Sequence, residues 1–220
     1  MDWVKICGTT NLEDALAAVD AGADAVGFVF AESPRRVEPS VAAQITRWLP
    51  EGIERIGVFV NESAECIRVM VKEVGLTGVQ LHGYKTLDVP TKLQAEPGLP
   101  RGVQVIPVYP MQRLLRHLED DFLVNFWNFD RVLFDTVVDG QQGGTGQTWD
   151  WELARAAFET MEGHVRAVIA GGLTPSNVVD AIRTLHPWGV DVSSGVEREP
   201  GKKDIEKVRA FVKAAKGVEL

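Results

Sequence analysis

The segment Lys5-Ile6-Cys7-Gly8 places an amine and a thiol two residues apart at the end of a short apolar run. Side chains two positions apart on a strand point to the same face, so Lys5 and Cys7 share one face. A nearby ammonium favours a thiolate, and we therefore expect Lys5 to favour ionisation of Cys7. Free cysteines are more often small buried packing residues, so the residue alone leaves both interpretations open.

Two other titratable side chains end apolar runs in the same way. Asp135 closes the run RVLFD, where a carboxyl group can serve as a general acid if its surroundings keep it protonated. The alternative is an aspartate that caps the following loop. His82 closes GVQLH, but no second ligand residue stands at metal-binding spacing, which favours a supporting role beside the site and predicts no metal.

Two segments rich in glycine and serine, AGGL at 170–173 and SSG at 193–195, each follow an apolar run. Glycine lets backbone N–H groups approach an anion closely, and Ser193 and Ser194 add hydroxyl donors. One such loop alone would indicate only a tight turn. The pair of loops favours a phosphate site.

The segment SPRRV carries two adjacent arginines, Arg35 and Arg36. A guanidinium can hold a carboxylate through two parallel hydrogen bonds, which an ammonium does less well. Solvated surface arginines are the usual alternative, and the sequence leaves the choice between the two residues open.

Short runs rich in β-branched residues predict eight strands, near 3–7, 25–30, 54–60, 78–82, 103–108, 131–135, 165–169 and 189–193. Helical periodicity separates them, with Asn11 and Ser63 as N-caps, and Thr174-Pro175 predicts the start of the helix before the last strand. Eight strand–helix units in 220 residues predict an α/β fold, a single-domain (β/α)8 TIM barrel over residues 1–220.

Barrel geometry would gather these residues in one place. Active groups of such barrels lie at the C-terminal ends of the strands, where Cys7, Asp135 and the two loops all fall. The last strand neighbours the first after closure, so we expect a buried ion pair between Lys5 and Asp191 that supports the thiol. The segment GGTG at 143–146 is expected to cover the site.

The bulk composition narrows the classes of partner. A total of 23 basic and 31 acidic residues gives a formal net charge of −8, which argues against nucleic-acid or anionic-membrane binding. The two cysteines form no CxxC pair, and the chain has neither a signal-peptide profile nor an apolar run near the ~20 residues of a membrane span. These features predict a cytoplasmic protein with no membrane partner.

Together, these segments resemble the phosphoribosylanthranilate isomerase family of tryptophan biosynthesis. The resemblance runs in family order from KICGTTNLEDA through GADAVGFVF, SPRRV, IGVFVN, VQLHG, LFDT, GGTGQTWDW and IAGGLTPSNV to VDVSSGVEREPGKKD. It covers nearly the whole chain. Where the family often has acidic residues after HG, this chain has Tyr84-Lys85, which we expect to change the loop surface rather than the chemistry.

The resemblance implies an aldose–ketose isomerase that converts N-(5'-phosphoribosyl)anthranilate to 1-(2-carboxyphenylamino)-1-deoxyribulose 5-phosphate. It implies Asp135 as the general acid, Cys7 as the general base and Arg35 as the ligand of the anthranilate carboxylate. It also implies a small phosphorylated substrate and no cofactor, and we expect a monomer or homodimer. The implied phosphate-binding residues are Gly172, Ser194 and Gly195.

Four alternative functions agree less well with these residues. An indole-glycerol-phosphate synthase relies on lysine, a ribose-phosphate epimerase on a metal with paired acids, and a bifunctional histidine and tryptophan isomerase on two aspartates. None of these sets matches Cys7 with Asp135. A non-catalytic phosphosugar-binding subunit would need neither residue.

Overall fold

A computed structural model describes residues 1–83, 88–94, 98–114, 128–135 and 150–218. Eight parallel strands close into a barrel in chain order, from β1 to β8, which confirms the predicted (β/α)8 fold. The strands are β1 Trp3–Ile6, β2 Ala25–Val29, β3 Glu54–Val60, β4 Gly78–His82, β5 Gln104–Pro110, β6 Arg131–Asp135, β7 Arg166–Ile169 and β8 Gly189–Val192. The segments GGTG and Tyr84-Lys85 lie outside the described residues.

The helices alternate with the strands, as the sequence predicts. They are α1 Leu12–Asp20, α2 Pro39–Thr46, α3 Ala64–Val74, α4 Asp88–Gln94, α5 Met111–Leu114, α6 Trp151–Met161, α7 Val178–Leu185 and α8 Ile205–Lys216. A 3-10 turn, Ser194–Val196, follows β8 and leads into a short antiparallel hairpin of β9 Glu197–Glu199 and β10 Lys202–Lys203. In the described part of the chain, no helix is both long and apolar enough to cross a bilayer.

Two of the predicted N-caps are confirmed. The Asn11 side chain accepts a hydrogen bond from the backbone N–H of Asp14 at 2.9 Å, and the Ser63 hydroxyl accepts one from Cys66 at 3.2 Å. Each side chain satisfies an N–H group that the first helical turn leaves without a backbone partner.

The predicted start of α7 at Thr174-Pro175 is wrong. The helix begins at Val178, and Asn177 is its N-cap residue. The Asn177 carboxamide instead braces the preceding loop, because its Oδ1 accepts from the N–H of Thr174 at 2.7 Å and its Nδ2 donates to the carbonyl of Gly172 at 3.0 Å. A side chain that hydrogen-bonds to nearby backbone competes with helix formation, which delays the first turn.

Apolar side chains form two layers that the alternation of the strands dictates. One layer lies between the strands and the helices. The second fills the barrel interior and consists of Trp3, Ala25, Ile56, Ile106, Leu133, Val168 and Ala170. Farther along the same inward faces, toward the C-terminal ends of the strands, the side chains become polar, with Lys5, Gln80 and Asp191 all buried. The polar half of the interior forms the floor of the site.

Candidate active site

A cavity of about 180 Å³ opens at the C-terminal ends of the strands. Every site residue predicted from the sequence lines it except Lys5, which lies buried beneath it. Those that line it are Cys7, Arg35, His82, Asp135, Gly172, Asp191, Ser194 and Gly195. The alternative arginine, Arg36, is exposed and forms a 3.7 Å ion pair with Glu38.

The predicted ion pair between Lys5 and Asp191 is confirmed. The two residues are direct partners in the β1–β8 register, and the Lys5 Nζ atom lies 2.9 Å from Asp191 Oδ2. Burial by itself lowers the pKa of Lys5, but the charge of Asp191, that of Cys7 in its ionised form, and hydrogen bonds to both outweigh burial and leave the pKa raised. Lys5 therefore keeps its charge although its side chain is fully buried.

Cys7 is 7% exposed, and burial is the largest effect on the pKa of its thiol. Burial and the charge of Asp191 raise the pKa of Cys7, whereas the charges of Lys5 and Lys203 lower it. The net result is a raised pKa. Lys5 therefore favours the thiolate, as the sequence predicts, but burial outweighs its effect on the pKa of Cys7. Gly27 makes room for this arrangement, since a Cβ there would lie 2.7 Å from Lys5 Cε and 2.8 Å from Cys7 Sγ.

A hydrogen-bond chain from Lys5 fixes the state of His82. Lys5 Nζ donates to Gln80 Oε1 at 2.6 Å, so the Gln80 amide nitrogen faces His82 Nε2 at 2.7 Å. The Gln80 nitrogen can only donate, and His82 Nε2 must accept, which places the imidazole proton on Nδ1. Burial, with the charge of Lys5, lowers the pKa of His82 to about 4, and the ring is neutral at physiological pH.

Asp135 enters the cavity from another side of the barrel. It is the last residue of β6, beside Pro110 of β5, and it is 6% exposed. In the closed order of strands, β7 and β8 separate β6 from β1. A carboxyl group and a thiol therefore reach one cavity from different strands, an arrangement that can supply an acid and a base to one bound molecule.

The loops after β7 and β8 pack against each other at the cavity wall. Gly171 and Gly172 have φ values of 89° and 65°, a region that glycine adopts without strain. A Cβ at Gly195 would overlap the carbonyl oxygen of Leu173, so only glycine allows the two loops to approach this closely. The Ser193 hydroxyl is buried and has no hydrogen-bond partner within the described part of the chain.

Three polar side chains of the site were missed by the sequence reasoning. Gln80 fixes His82, while Glu197 and Lys203 on the hairpin form a 3.0 Å ion pair with almost fully buried side chains. Glu197 also pairs with Arg35 at 2.8 Å. The only signal was the run of charges in VEREPGKKD, which composition alone assigns to a solvated surface.

The fold and the cavity define a class: (β/α)8-barrel enzymes, in which titratable residues and glycine-rich loops form the site at the C-terminal mouth. The chain belongs to the N-(5'-phosphoribosyl)anthranilate isomerase family, whose model matches residues 4–214.

Several similar proteins carry the same family name. A curated N-(5'-phosphoribosyl)anthranilate isomerase of Trichlorobacter lovleyi is 44% identical over 216 residues, which is 97% of each chain. A structure of monomers generated from the dimeric Thermotoga maritima enzyme has a TM-score of 0.82 at 39% identity and covers 99% of this chain and 100% of that one. A phosphoribosylanthranilate isomerase in complex with reduced 1-(o-carboxyphenylamino)-1-deoxyribulose 5-phosphate has a TM-score of 0.80 at 39% identity, with the same coverage.

Proposed function

We propose that this protein isomerises N-(5'-phosphoribosyl)anthranilate in tryptophan biosynthesis, with Cys7 as the general base and Asp135 as the general acid. The observation that carries the proposal is the meeting of these two side chains in one cavity beside the glycine loops after β7 and β8. The named relatives, at 39% and 44% identity over nearly the whole chain, support the substrate.

The reaction needs two proton transfers, one from Asp135 to the substrate and one from the substrate to Cys7. Asp135 donates a proton to the ribose ring oxygen, the C1'–O4' bond breaks, and the nitrogen lone pair forms a C1'=N iminium. The Cys7 thiolate then takes the C2' proton, and the C–H electrons form a C1'=C2' bond while the iminium becomes a neutral amine. The resulting enolamine tautomerises to the C2' ketone.

The raised pKa of Cys7 is compatible with its role as a base. The pair of Cys7 and Asp135 carries one proton in either of two forms. In one form Cys7 is a thiol and Asp135 a carboxylate, and in the other Cys7 is a thiolate and Asp135 a carboxylic acid. Transfer of one proton from Cys7 to Asp135 therefore gives both residues the state that the reaction needs. The positive charge of Lys5 stabilises the thiolate when it forms.

The remaining predicted residues bind and support the substrate. Gly172, Ser194 and Gly195 bind the phosphate, and Arg35 binds the anthranilate carboxylate. Lys5, Asp191 and His82 hold the thiol side of the site from below. The chemistry uses a reduced thiol and no cofactor, which fits a cytoplasmic enzyme, and the protein works as a monomer or homodimer.

Replacement of either member of the pair tests the mechanism. Cys7→Ala and Asp135→Asn should each lower kcat by about 10²–10⁴-fold, because each variant loses one proton-transfer group. Turnover is followed by the fluorescence of phosphoribosylanthranilate, and the Kd of the reduced product analogue should change far less.

Cys66→Ala is the matched control, because Cys66 lies on α3 and does not line the cavity. This variant should keep the wild-type rate. Near-wild-type turnover of Cys7→Ala or Asp135→Asn would contradict the assignment.

A further inference from the structure

Arg35 is held by a buried carboxylate on the hairpin. Its Nε atom donates to both carboxylate oxygens of Glu197, at 2.9 and 3.1 Å, and its Nη2 atom donates to Oε2 at 2.8 Å. The pairing is bidentate and charge-assisted, which fixes orientation as well as distance. The Glu197 side chain is 5% exposed, so water screens the pair little.

Glu197 is itself held in place by the rest of the hairpin. Its Oε1 accepts from Lys203 Nζ at 3.0 Å and from the N–H of Gly201 at 3.3 Å. Burial raises the pKa of Glu197, but hydrogen bonds and charges from Arg35 and Lys203 outweigh it and leave the pKa lowered, so the carboxylate stays ionised.

The hairpin is tied to the segment that follows β1. The Thr10 hydroxyl donates to the carbonyl of Gly201 at 2.5 Å, and the backbone N–H of Lys203 donates to Asp14 Oδ2 at 2.9 Å. Lys203 Nζ also donates to the carbonyl of Ser193, in the loop after β8, at 3.3 Å. The carboxylate of Glu197 thus has a fixed position relative to the strand ends that form the cavity.

The pairing leaves one edge of the guanidinium for a ligand. A guanidinium has a side edge, formed by Nε and Nη2, and an end edge, formed by Nη1 and Nη2. Glu197 occupies the side edge, and no residue in the described ranges accepts a hydrogen bond from Nη1. Arg35 lines the cavity, so its end edge is the one that a second carboxylate can meet.

We propose that Glu197 is a positioning residue that makes the site specific for a substrate with a ring carboxylate. It occupies the side edge of Arg35, fixes the plane of the guanidinium and so directs the end edge to the carboxylate of the anthranilate group. This inference rests on the proposed function, in which Arg35 binds that carboxylate. Glu197 itself does not contact the substrate.

The test compares two ligands that differ only in the ring carboxylate. One is reduced 1-(o-carboxyphenylamino)-1-deoxyribulose 5-phosphate, and the other is the same compound with an unsubstituted phenyl ring. In the full-length protein, Glu197→Gln should raise the Kd of the first by roughly tenfold or more, the scale of a charge-assisted hydrogen bond. The Kd of the second should stay within about twofold of wild type.

Two further variants separate positioning from simple loss of structure. Glu199 lies on the same hairpin and forms a solvent-exposed 2.7 Å ion pair with Lys202. Glu199→Gln should therefore leave both Kd values unchanged. Glu197→Gln leaves Lys203 buried without its partner. If that variant melts at a lower temperature, the double variant Glu197→Gln/Lys203→Met restores the charge balance and should still discriminate poorly between the ligands.

Arg35→Lys distinguishes failure of this inference from failure of the proposed function. If Arg35→Lys abolishes the discrimination between the ligands while Glu197→Gln keeps it, the positioning role is overturned and the carboxylate contact stands. If wild type binds both ligands equally, both assignments are overturned. An equal loss of affinity for both ligands in Glu197→Gln also overturns the positioning role, since it indicates a general structural defect.

Discussion

The state of Cys7 depends on a near balance of buried charges. Lys5 and Lys203 stabilise its thiolate, Asp191 opposes it, and each of these side chains is buried close to it. Because the opposing charges partly cancel, desolvation decides the direction of the shift, and the pKa of Cys7 is raised. A protonated thiol is a poorer nucleophile than a thiolate, so the raised pKa lowers the reactivity of Cys7.

Titration of the thiolate tests this balance. The difference in absorbance at 240 nm between wild type and Cys7→Ala isolates Cys7 from Cys66. It should show a midpoint above the ~8.5 of a free cysteine. Asp191→Asn should lower the midpoint, because it removes a negative charge, and Lys5→Met should raise it. A Cys7 that is fully ionised at pH 7 in the free protein would contradict the explanation.

At the scale of elements, the site is built by loops that touch one another across neighbouring strands. The loop after β7 contacts the 3-10 turn after β8 at Gly195, and Asn177 fixes that first loop from the start of α7. The hairpin β9–β10 then ties the end of β8 back to α1. The proposed phosphate ligands therefore belong to a packed unit, which keeps their N–H groups in place before the substrate arrives.

Gly195→Ala tests whether this packing matters for binding. The added Cβ would overlap the carbonyl of Leu173, so the loops after β7 and β8 must separate. The Kd of the reduced product analogue should rise by about tenfold, equivalent to about 1.4 kcal/mol, because the N–H groups on the two loops no longer converge. Isothermal titration calorimetry measures this change.

Gly52→Ala is the matched control, since a Cβ at Gly52 meets no atom within 4 Å. It should bind the analogue as wild type does. Unchanged affinity in Gly195→Ala would mean that the phosphate does not bind between these two loops.

The strands were predictable because their signal is local. All eight predicted runs overlap the observed strands, since apolar β-branched segments between helical patterns indicate a parallel barrel. The hairpin was missed because Glu197, Glu199, Lys202 and Lys203 look like a solvated surface. Two of these four charges, Glu197 and Lys203, are buried, and Glu197 pairs with Arg35, some 160 residues away in the chain. No local pattern encodes that contact.

For the site as well, features with a local signal were predictable, and features that depend on distant contacts or burial were not. Strand alternation and barrel closure gave the Lys5–Asp191 pair, which needs only the register of β1 and β8. The effect of Lys5 on Cys7 was predicted in the right direction, but the net ionisation of Cys7 stayed open, because the sequence shows the neighbouring charge and not the depth of burial. Gln80 was missed for a related reason: its role depends on a third residue, His82, and on which end of its amide faces Lys5.

At the scale of the whole molecule, the two ends of the barrel differ: aromatic side chains close one end, and the cavity lies at the other. The N-terminal end is closed by Trp3 stacked on Trp188, with ring centres 5.8 Å apart, and by Arg131 lying 5.3 and 4.6 Å from the two rings. The C-terminal end carries the cavity, whose lining includes Cys7, Asp135 and Asp191. The Lys5–Asp191 pair lies between the two ends, where β1 and β8 close the barrel.

The cost of this buried pair can be measured as global stability. Lys5→Met leaves Asp191 buried without its cation and should lower the free energy of unfolding by about 3–5 kcal/mol. The double variant Lys5→Met/Asp191→Asn removes the uncompensated charge and should recover most of that loss. Glu199→Gln, in an exposed pair, is the control and should hardly change the unfolding midpoint.

Chemical denaturation at neutral pH gives all four free energies under one condition. If the double variant is stable but nearly inactive, the pair is retained for the thiol site, since closure of β1 on β8 does not require it. If the double variant is as unstable as Lys5→Met, the pair is needed for closure of the barrel. The first outcome is expected, because a buried ion pair offsets little more than the desolvation of its own charges.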